Sequence, residues 1–265
     1  MKPIWRGNLI FELLTIPIRL YAATGSRRVE LRLLHANDHS PIRLERICVE
    51  EGRPVPPEEI VRGYDHDGEW VILEDEELDA LAPLPTQTIE VREFVSETEI
   101  DPIYHRRPYY LAPDEEEPEG YLILREALRR SGRVGIVEFV LLRRQYLGLL
   151  RPYGGLIALE TLYYPAELLD PKLLAPPASA TLREGEIGMA TELIERLTRR
   201  EFELSDYRDE YRERLLGLIE ERAAGRARVV PHPLPAPDPT PVIDLGDRLR
   251  ESLERARDED LGRAA

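Results

Sequence analysis

The chain has 265 residues, 42% of them hydrophobic, and a formal net charge of −15, which excludes wholesale disorder and leaves ample material for a core. No apolar run approaches the eighteen or so residues of a membrane helix, and the opening Met1-Lys2-Pro3-Ile4-Trp5-Arg6 lacks the apolar stretch of a secretion signal, so a cytoplasmic protein without a membrane partner is expected. The single cysteine, Cys48, excludes an internal disulfide and any site built on several thiolates; two lysines, neither following a glycine, exclude a Walker-type phosphate loop, and no Gly-x-Ser-x-Gly elbow is present.

The first 120 residues read mainly as strands, at 9–13 and 16–21 by their alternation, then at 28–34, 42–48, 70–73 and 88–95, with turns at Asn37-Asp38 and Asp67-Gly68. A short helix with acidic residues at its start is expected over 75–81. Residues 118–131 place Tyr121, Leu124, Ala127 and Leu128 on one helical stripe, stopped by Gly132. Residues 134–142 and 146–150 read as a strand pair joined through Arg143-Arg144-Gln145, and 156–162 as a further strand. Many short strands with polar connections indicate a barrel or sandwich.

After Pro176-Pro177 the pattern becomes helical, over 186–197 and over 206–224, with Ser205 or Asp206 as the second helix's N-cap and Tyr207, Tyr211 and Leu215 on its stripe. From Pro231 to Pro241 every second residue is proline, which predicts a semi-rigid spacer of about 34 Å at ~3.1 Å per residue. Beyond it, 244–256 predicts a small amphipathic helix with Leu245, Leu249 and Leu253 four apart. A helix that short is marginal alone and reads as a docking peptide. The division is therefore 1–175 for the core, 176–230 for a helical arm and 231–265 for linker and docking helix.

The charge is uneven. Residues 51–120 carry 5 basic and 21 acidic side chains, whereas 1–50 carry 8 and 5, and 121–160 carry 7 and 3. A positive face inside an acidic shell is compatible with that distribution. The basic candidates are Arg133, Arg143, Arg144 and Arg151 in the second basic segment, and Arg6, Arg19, Arg43 and Arg46 in the first. Arg19 alternates with Ile18 and Leu20 and faces away from the apolar side. Asp65-x-Asp67-Gly68 matches part of a calcium loop, but without flanking helices it reads as a hairpin turn. His35 and His39 lack a ligand set and His35 reads as a local hydrogen-bonding group. No metal and no cofactor is expected.

Ile4-Trp5-Arg6-Gly7 with Ile16-Pro17-Ile18-Arg19-Leu20-Tyr21 resembles the opening of the bacterial Ku proteins, and the likeness continues in family order. It passes through Leu34-His35-Ala36-Asn37-Asp38, Tyr109-Tyr110-Leu111-Ala112-Pro113-Asp114, Gly132-Arg133-Val134-Gly135-Ile136, Leu159-Glu160-Thr161-Leu162 and Asp209-Glu210-Tyr211-Arg212-Glu213. It runs over residues 1 to about 228. The resemblance implies an α+β, mainly β, protein: a Ku-type β-barrel core, a bridge encircling DNA and a C-terminal helical arm. It implies a non-enzymatic homodimeric ring on double-stranded DNA ends, associated with the nucleoid, that acts in non-homologous end joining and recruits an ATP-dependent DNA ligase. The eight arginines would then meet phosphates, the 134–150 strand pair would resemble the bridge, Tyr207, Tyr211 and Leu215 would lie at the dimer interface, and Leu245, Leu249 and Leu253 would dock the ligase. A protein–protein scaffold without DNA binding is the alternative that the acidity favours; a metal-dependent nuclease using carboxylates near 65–77 is a third.

Overall fold

A computed structural model of the chain describes residues 1–25, 28–84, 86–114, 118–174, 182–199, 201–225 and 245–263. The chain divides into two compact units, Met1–Arg27 with Leu31–Asp170, and Arg28–Glu30 with Pro171–Ala265.

The first unit is built on a closed seven-stranded barrel. Its strands are β1 (Trp5–Phe11), β2 (Leu14–Ala22), β5 (Thr88–Ser96), β6 (His105–Pro113), β7 (Arg133–Leu141), β8 (Arg144–Tyr153) and β9 (Leu156–Leu162), in the order β1-β2-β6-β9-β8-β7-β5. All pairings are antiparallel except β1 with β5, which closes the cylinder. Alternation sets the inward face: Ile16, Ile18 and Leu20 of β2 and Ile157 and Leu159 of β9 are buried, while Arg19 points outward as its position between Ile18 and Leu20 predicts. Helix α2 (Glu119–Ser131) connects β6 to β7 and lays Tyr121, Leu124 and Leu128 against the interior cluster. The buried Tyr121 hydroxyl donates to the Leu111 carbonyl at 2.6 Å and accepts from the Ile157 N–H at 2.8 Å, pinning the helix to two staves. Gly132, in the left-handed region at φ 62°, ends α2 with its N–H on the Leu128 carbonyl. A second apolar cluster of Val134, Leu149 and Leu162 packs with Val95, Ile100 and Tyr104.

Residues 23–87 run from β2 to β5. They contain the hairpin β3 (Arg62–His66) and β4 (Glu69–Leu73) and helix α1 (Asp75–Leu81). Asp67 and Gly68 both take positive φ at the hairpin tip, and Asp65 Oδ1 accepts the Gly68 N–H at 2.9 Å, so this motif is a turn. His35 Nδ1 and Asp38 Oδ1 lie 2.9 Å apart, the local hydrogen bond expected of His35.

Several expectations are corrected. The stretches 28–34 and 42–48 form no strands; only the isolated bridges Leu34–Pro41 and Ile47–Pro54 occur there. Their alternating residues meet no neighbouring sheet, and Leu31, Leu33, Ile42 and Leu44 are exposed. Strand β6 lies where no strand was expected: Pro108 and the Arg106-Arg107 pair argue against a central strand, yet β6 is paired on both sides, with a register shift between His105 and Arg107. The β7–β8 pair is no bridge. Both strands are staves of the barrel wall, joined by a tight turn with Leu142 and Arg143 at φ 50° and 66°.

The second unit contains α3 (Glu184–Leu197), α4 (Glu210–Ala223) and α5 (Leu245–Arg263). Helix α4 starts four residues later than expected because Asp209, not Ser205 or Asp206, caps it, its Oδ1 accepting the Arg212 N–H at 3.0 Å. Tyr207 thus precedes the helix, shares no stripe with Tyr211, and meets the Phe202 ring. The proline spacer 231–241 lies outside the described residues. Helix α5 is longer than expected and is not detached: it packs against α3, burying Leu253 and half-burying Leu249, whereas the side chain of Leu245 lies outside the described set.

Candidate nucleic-acid interface

The strand registers gather one rim of the barrel. Ala22 at the end of β2 pairs with Tyr109 midway along β6, His105 at the start of β6 with Leu162 at the end of β9, Leu162 with Leu147 of β8, and Arg144 with Leu141 at the end of β7. Ile89, at the start of β5, pairs with Phe139 of β7. Residues 23–87 therefore leave and re-enter the barrel at this rim.

Four arginines stand on it: Arg106 and Arg107 of β6, Arg143 of the β7–β8 turn and Arg144 of β8. The Arg106 guanidinium lies 5.2 Å from the Tyr163 ring centroid and 6.0 Å from that of Tyr146, and Arg144 lies 5.5 Å from Tyr146. Tyr146 in turn stacks on Phe139 at 5.7 Å. Arg107 lies 5.5 Å from the Tyr109 ring and has no carboxylate partner among the described residues. Glu167 is the local counter-charge, 2.8 Å from Arg144 and 3.8 Å from Arg106. The Tyr164 N–H above all, with the Arg144 guanidinium adding to it, holds the Glu167 carboxyl below its ordinary value against the opposing effect of burial. A cleft of about 600 Å³ opens here, lined by Thr24, Arg106, Arg107, Tyr109, Tyr146 and Thr161. Planar cations braced by tyrosines suit phosphate oxygens, because the guanidinium loses less freedom on binding.

Arg143, on the same rim, is engaged by Asp79 of α1. The other arginines nominated from sequence are dispersed. Arg133 sits at the opposite rim, at the start of β7, with no carboxylate partner among the described residues. Arg151 is structural: with His105 it converges on buried Glu160, at 2.6 Å and 2.5 Å. Burial opposes the Glu160 charge, yet these hydrogen bonds outweigh it and leave the carboxyl below its ordinary value. Arg6 and Arg19 both close on Asp114 at the barrel's outer wall, and the Arg19 hydrogen bond lowers the Asp114 carboxyl. Arg43 pairs with Glu45, and Arg46 lies near it in the 23–87 segment with no carboxylate partner among the described residues. The structure thus unites Arg143 and Arg144 with two residues that sequence reasoning missed, Arg106 and Arg107. The signal was there, an Arg-Arg pair beside Tyr109-Tyr110, but the acidity of residues 51–120 hid it. Among the described residues, no three His, Cys, Asp or Glu side chains are grouped to hold a metal ion, and no helix is long and apolar enough to cross a membrane.

A closed mainly β barrel with appended helices defines the class. Residues 10–189 match the family model described as the Ku70/Ku80 beta-barrel domain. The chain is 36% identical over 260 residues to the "Non-homologous end joining protein Ku" of Bacillus subtilis, covering 97% of this chain and 83% of the relative. It is 37% identical over 267 residues to the protein of that name from Heliobacterium modesticaldum, covering 100% and 96%, and 38% identical over 258 residues to that from Anaeromyxobacter sp., covering 97% and 86%. The chain belongs to the Ku family, with its attachment to non-homologous end joining, DNA repair and DNA binding.

Proposed function

We propose that two copies of this chain form a ring that binds double-stranded DNA ends without regard to sequence, as a non-catalytic factor of end joining that brings in an ATP-dependent DNA ligase. The observation that carries the reading is the arginine rim at the root of residues 23–87. That segment takes the part of the bridge, and DNA held under it would meet Arg106, Arg107 and Arg144 through phosphates, which report no base identity. Arg46 adds a cation on the segment itself.

One chain cannot close a ring, and its exposed apolar residues supply the means for two. Tyr64, Trp70 and Ile72 of the β3–β4 hairpin are exposed, as are Ile187, Ile194 and Leu197 of α3 and Tyr211 of α4. A two-stranded hairpin is marginal alone, so a second copy is its natural cover. Leu215 is half-buried and Tyr207 exposed, and both belong to the same arm. The ligase contact is assigned to the C-terminal helix, whose Leu249 and Leu253 turn toward α3 in the free chain.

The test is topological. Linear duplex should be bound and relaxed circles of equal length should not, at the same moderate salt, because a closed ring admits duplex only through an end. Equal binding of both forms overturns the ring; binding of neither leaves the scaffold reading.

A further inference from the structure

Consecutive residues of a regular strand point to opposite faces, yet Arg106 and Arg107 both line the rim cleft. The register of β6 on β9 shows why. Tyr109 pairs with Leu159 and Leu111 with Ile157, all buried toward the interior, and Arg107 pairs with Thr161 on that same side. Regular pairing would next oppose Arg106 to Leu162 and send its side chain to the outer face. Instead His105 opposes Leu162, and Arg106 is an extra residue in the ladder. A slip of one residue exchanges the two faces. His105 therefore turns to the outer wall, and Arg106 stays beside Arg107 at the mouth, against Tyr146 and Tyr163.

The outer wall anchors the displaced residue. Glu160 alternates with Leu159 and Thr161 and so faces outward, but it is only 7% exposed. Its Oε2 lies 2.5 Å from His105 Nδ1, and its Oε1 accepts from Arg151 Nε at 2.7 Å. On the opposite face the Thr161 hydroxyl donates to the Arg107 carbonyl at 3.2 Å. Past the bulge the Tyr163 N–H donates to the Tyr104 carbonyl at 2.8 Å, and the ladder resumes. A buried carboxylate is costly without its partners, so Glu160 holds His105 on the outer face and the slip with it. Building on the end-binding reading, we infer that His105 is a positioning residue for the DNA contact. Its hydrogen bond to Glu160 keeps the bulge that turns Arg106 to the mouth, where two guanidiniums adjacent in sequence meet phosphates together.

The experiment uses the full-length protein and one linear duplex, titrated over a range of salt. His105→Ala should weaken end binding about tenfold and flatten the log–log salt dependence by about one unit, the signature of one lost phosphate contact. The same substitution made on top of Arg106→Gln should change affinity by less than about twofold, because the cation it positions is already gone. His105→Asn, whose side-chain amide can donate to Glu160 from the same place, should recover most of the affinity and slope. A second measurement needs no variant. Phenylglyoxal modification of the wild-type protein with and without the duplex, read by peptide mass spectrometry, should show Arg106 and Arg107 protected together. Unchanged affinity and slope in His105→Ala, an equal loss with and without Arg106→Gln, an Asn variant as weak as the Ala variant, or protection of Arg107 without Arg106 overturns the positioning role while leaving end binding intact. Failure of the wild-type protein to bind any linear duplex overturns the end-binding reading instead.

Discussion

Arg143 is paired with Asp79, 64 positions away in the chain, and so ties the β7–β8 turn to α1 of the segment between β2 and β5. The two side chains are 57% and 58% exposed, and exposed pairs of this kind contribute about 0–1 kcal/mol. The pair positions the end of the 23–87 segment more than it stabilises the fold. Its acidic partner also neutralises Arg143 toward phosphate.

The first prediction separates the rim arginines. Arg106→Gln, Arg107→Gln and Arg144→Gln should each weaken binding for all end sequences alike and flatten the log–log salt dependence by about one unit. Arg143→Ala should leave that slope unchanged. A salt titration of each variant checks this, and an Arg143 effect as large as that of Arg107 would refute the assignment.

The second concerns α2. Tyr121→Phe removes the hydroxyl that serves both the Leu111 carbonyl and the Ile157 N–H, leaving two buried backbone groups without their partner. The expected loss is ~2 kcal/mol, read from urea unfolding, with no change in end affinity once the protein is folded.

The third is a pH dependence. The Asp114, Glu160 and Glu167 carboxyls lie below their ordinary values in the folded chain. The unfolded chain binds protons more readily at these groups, so their stabilisation is complete at neutral pH. It is lost as the pH falls through the ordinary carboxylate range toward the lowered folded values. Glu160→Gln should cost ~2 kcal/mol at pH 7 and flatten the fall of the thermal midpoint between pH 5 and pH 3; a parallel curve would place the acid sensitivity elsewhere.

The fourth concerns the C-terminal helix. Leu253→Asp places a charge in the contact with α3, so amide exchange over 245–255 should rise toward that of a free peptide. Truncation after Val230 should keep dimerisation and end binding and abolish stimulation of the ligase. Ligase stimulation that survives truncation moves the contact to the core.

Much of the barrel was legible because strict alternation, as in Ile16, Ile18 and Leu20, fixes both the strand and its inward face. Strand β6 was not, since its prolines and arginine pair oppose a central strand locally and only the neighbours β2 and β9 hold it. Residues 28–48 erred the other way: alternating apolar side chains announce a sheet, but the chain alone offers them none. The candidate site was half legible. Arg144 was found in a locally basic segment, whereas Arg106 and Arg107 become a cationic rim only when the registers bring β6 beside β9, one strand from β8. The sequence did not foresee α5 on α3, because a three-leucine stripe does not say whether its cover comes from within the chain or outside it.

Closure of the barrel has a consequence for how partners can attach. The first and last staves pair from Asn8–Thr88 to Ile10–Glu90, so strand addition, a common route to association, is shut along that paired length of the barrel wall. Among the described residues the β3–β4 ribbon is the sheet with open borders. A foreign strand could therefore extend the molecule out on the 23–87 segment, and a peptide copying either strand of that ribbon is a direct probe of whether assembly uses backbone pairing or side chains alone.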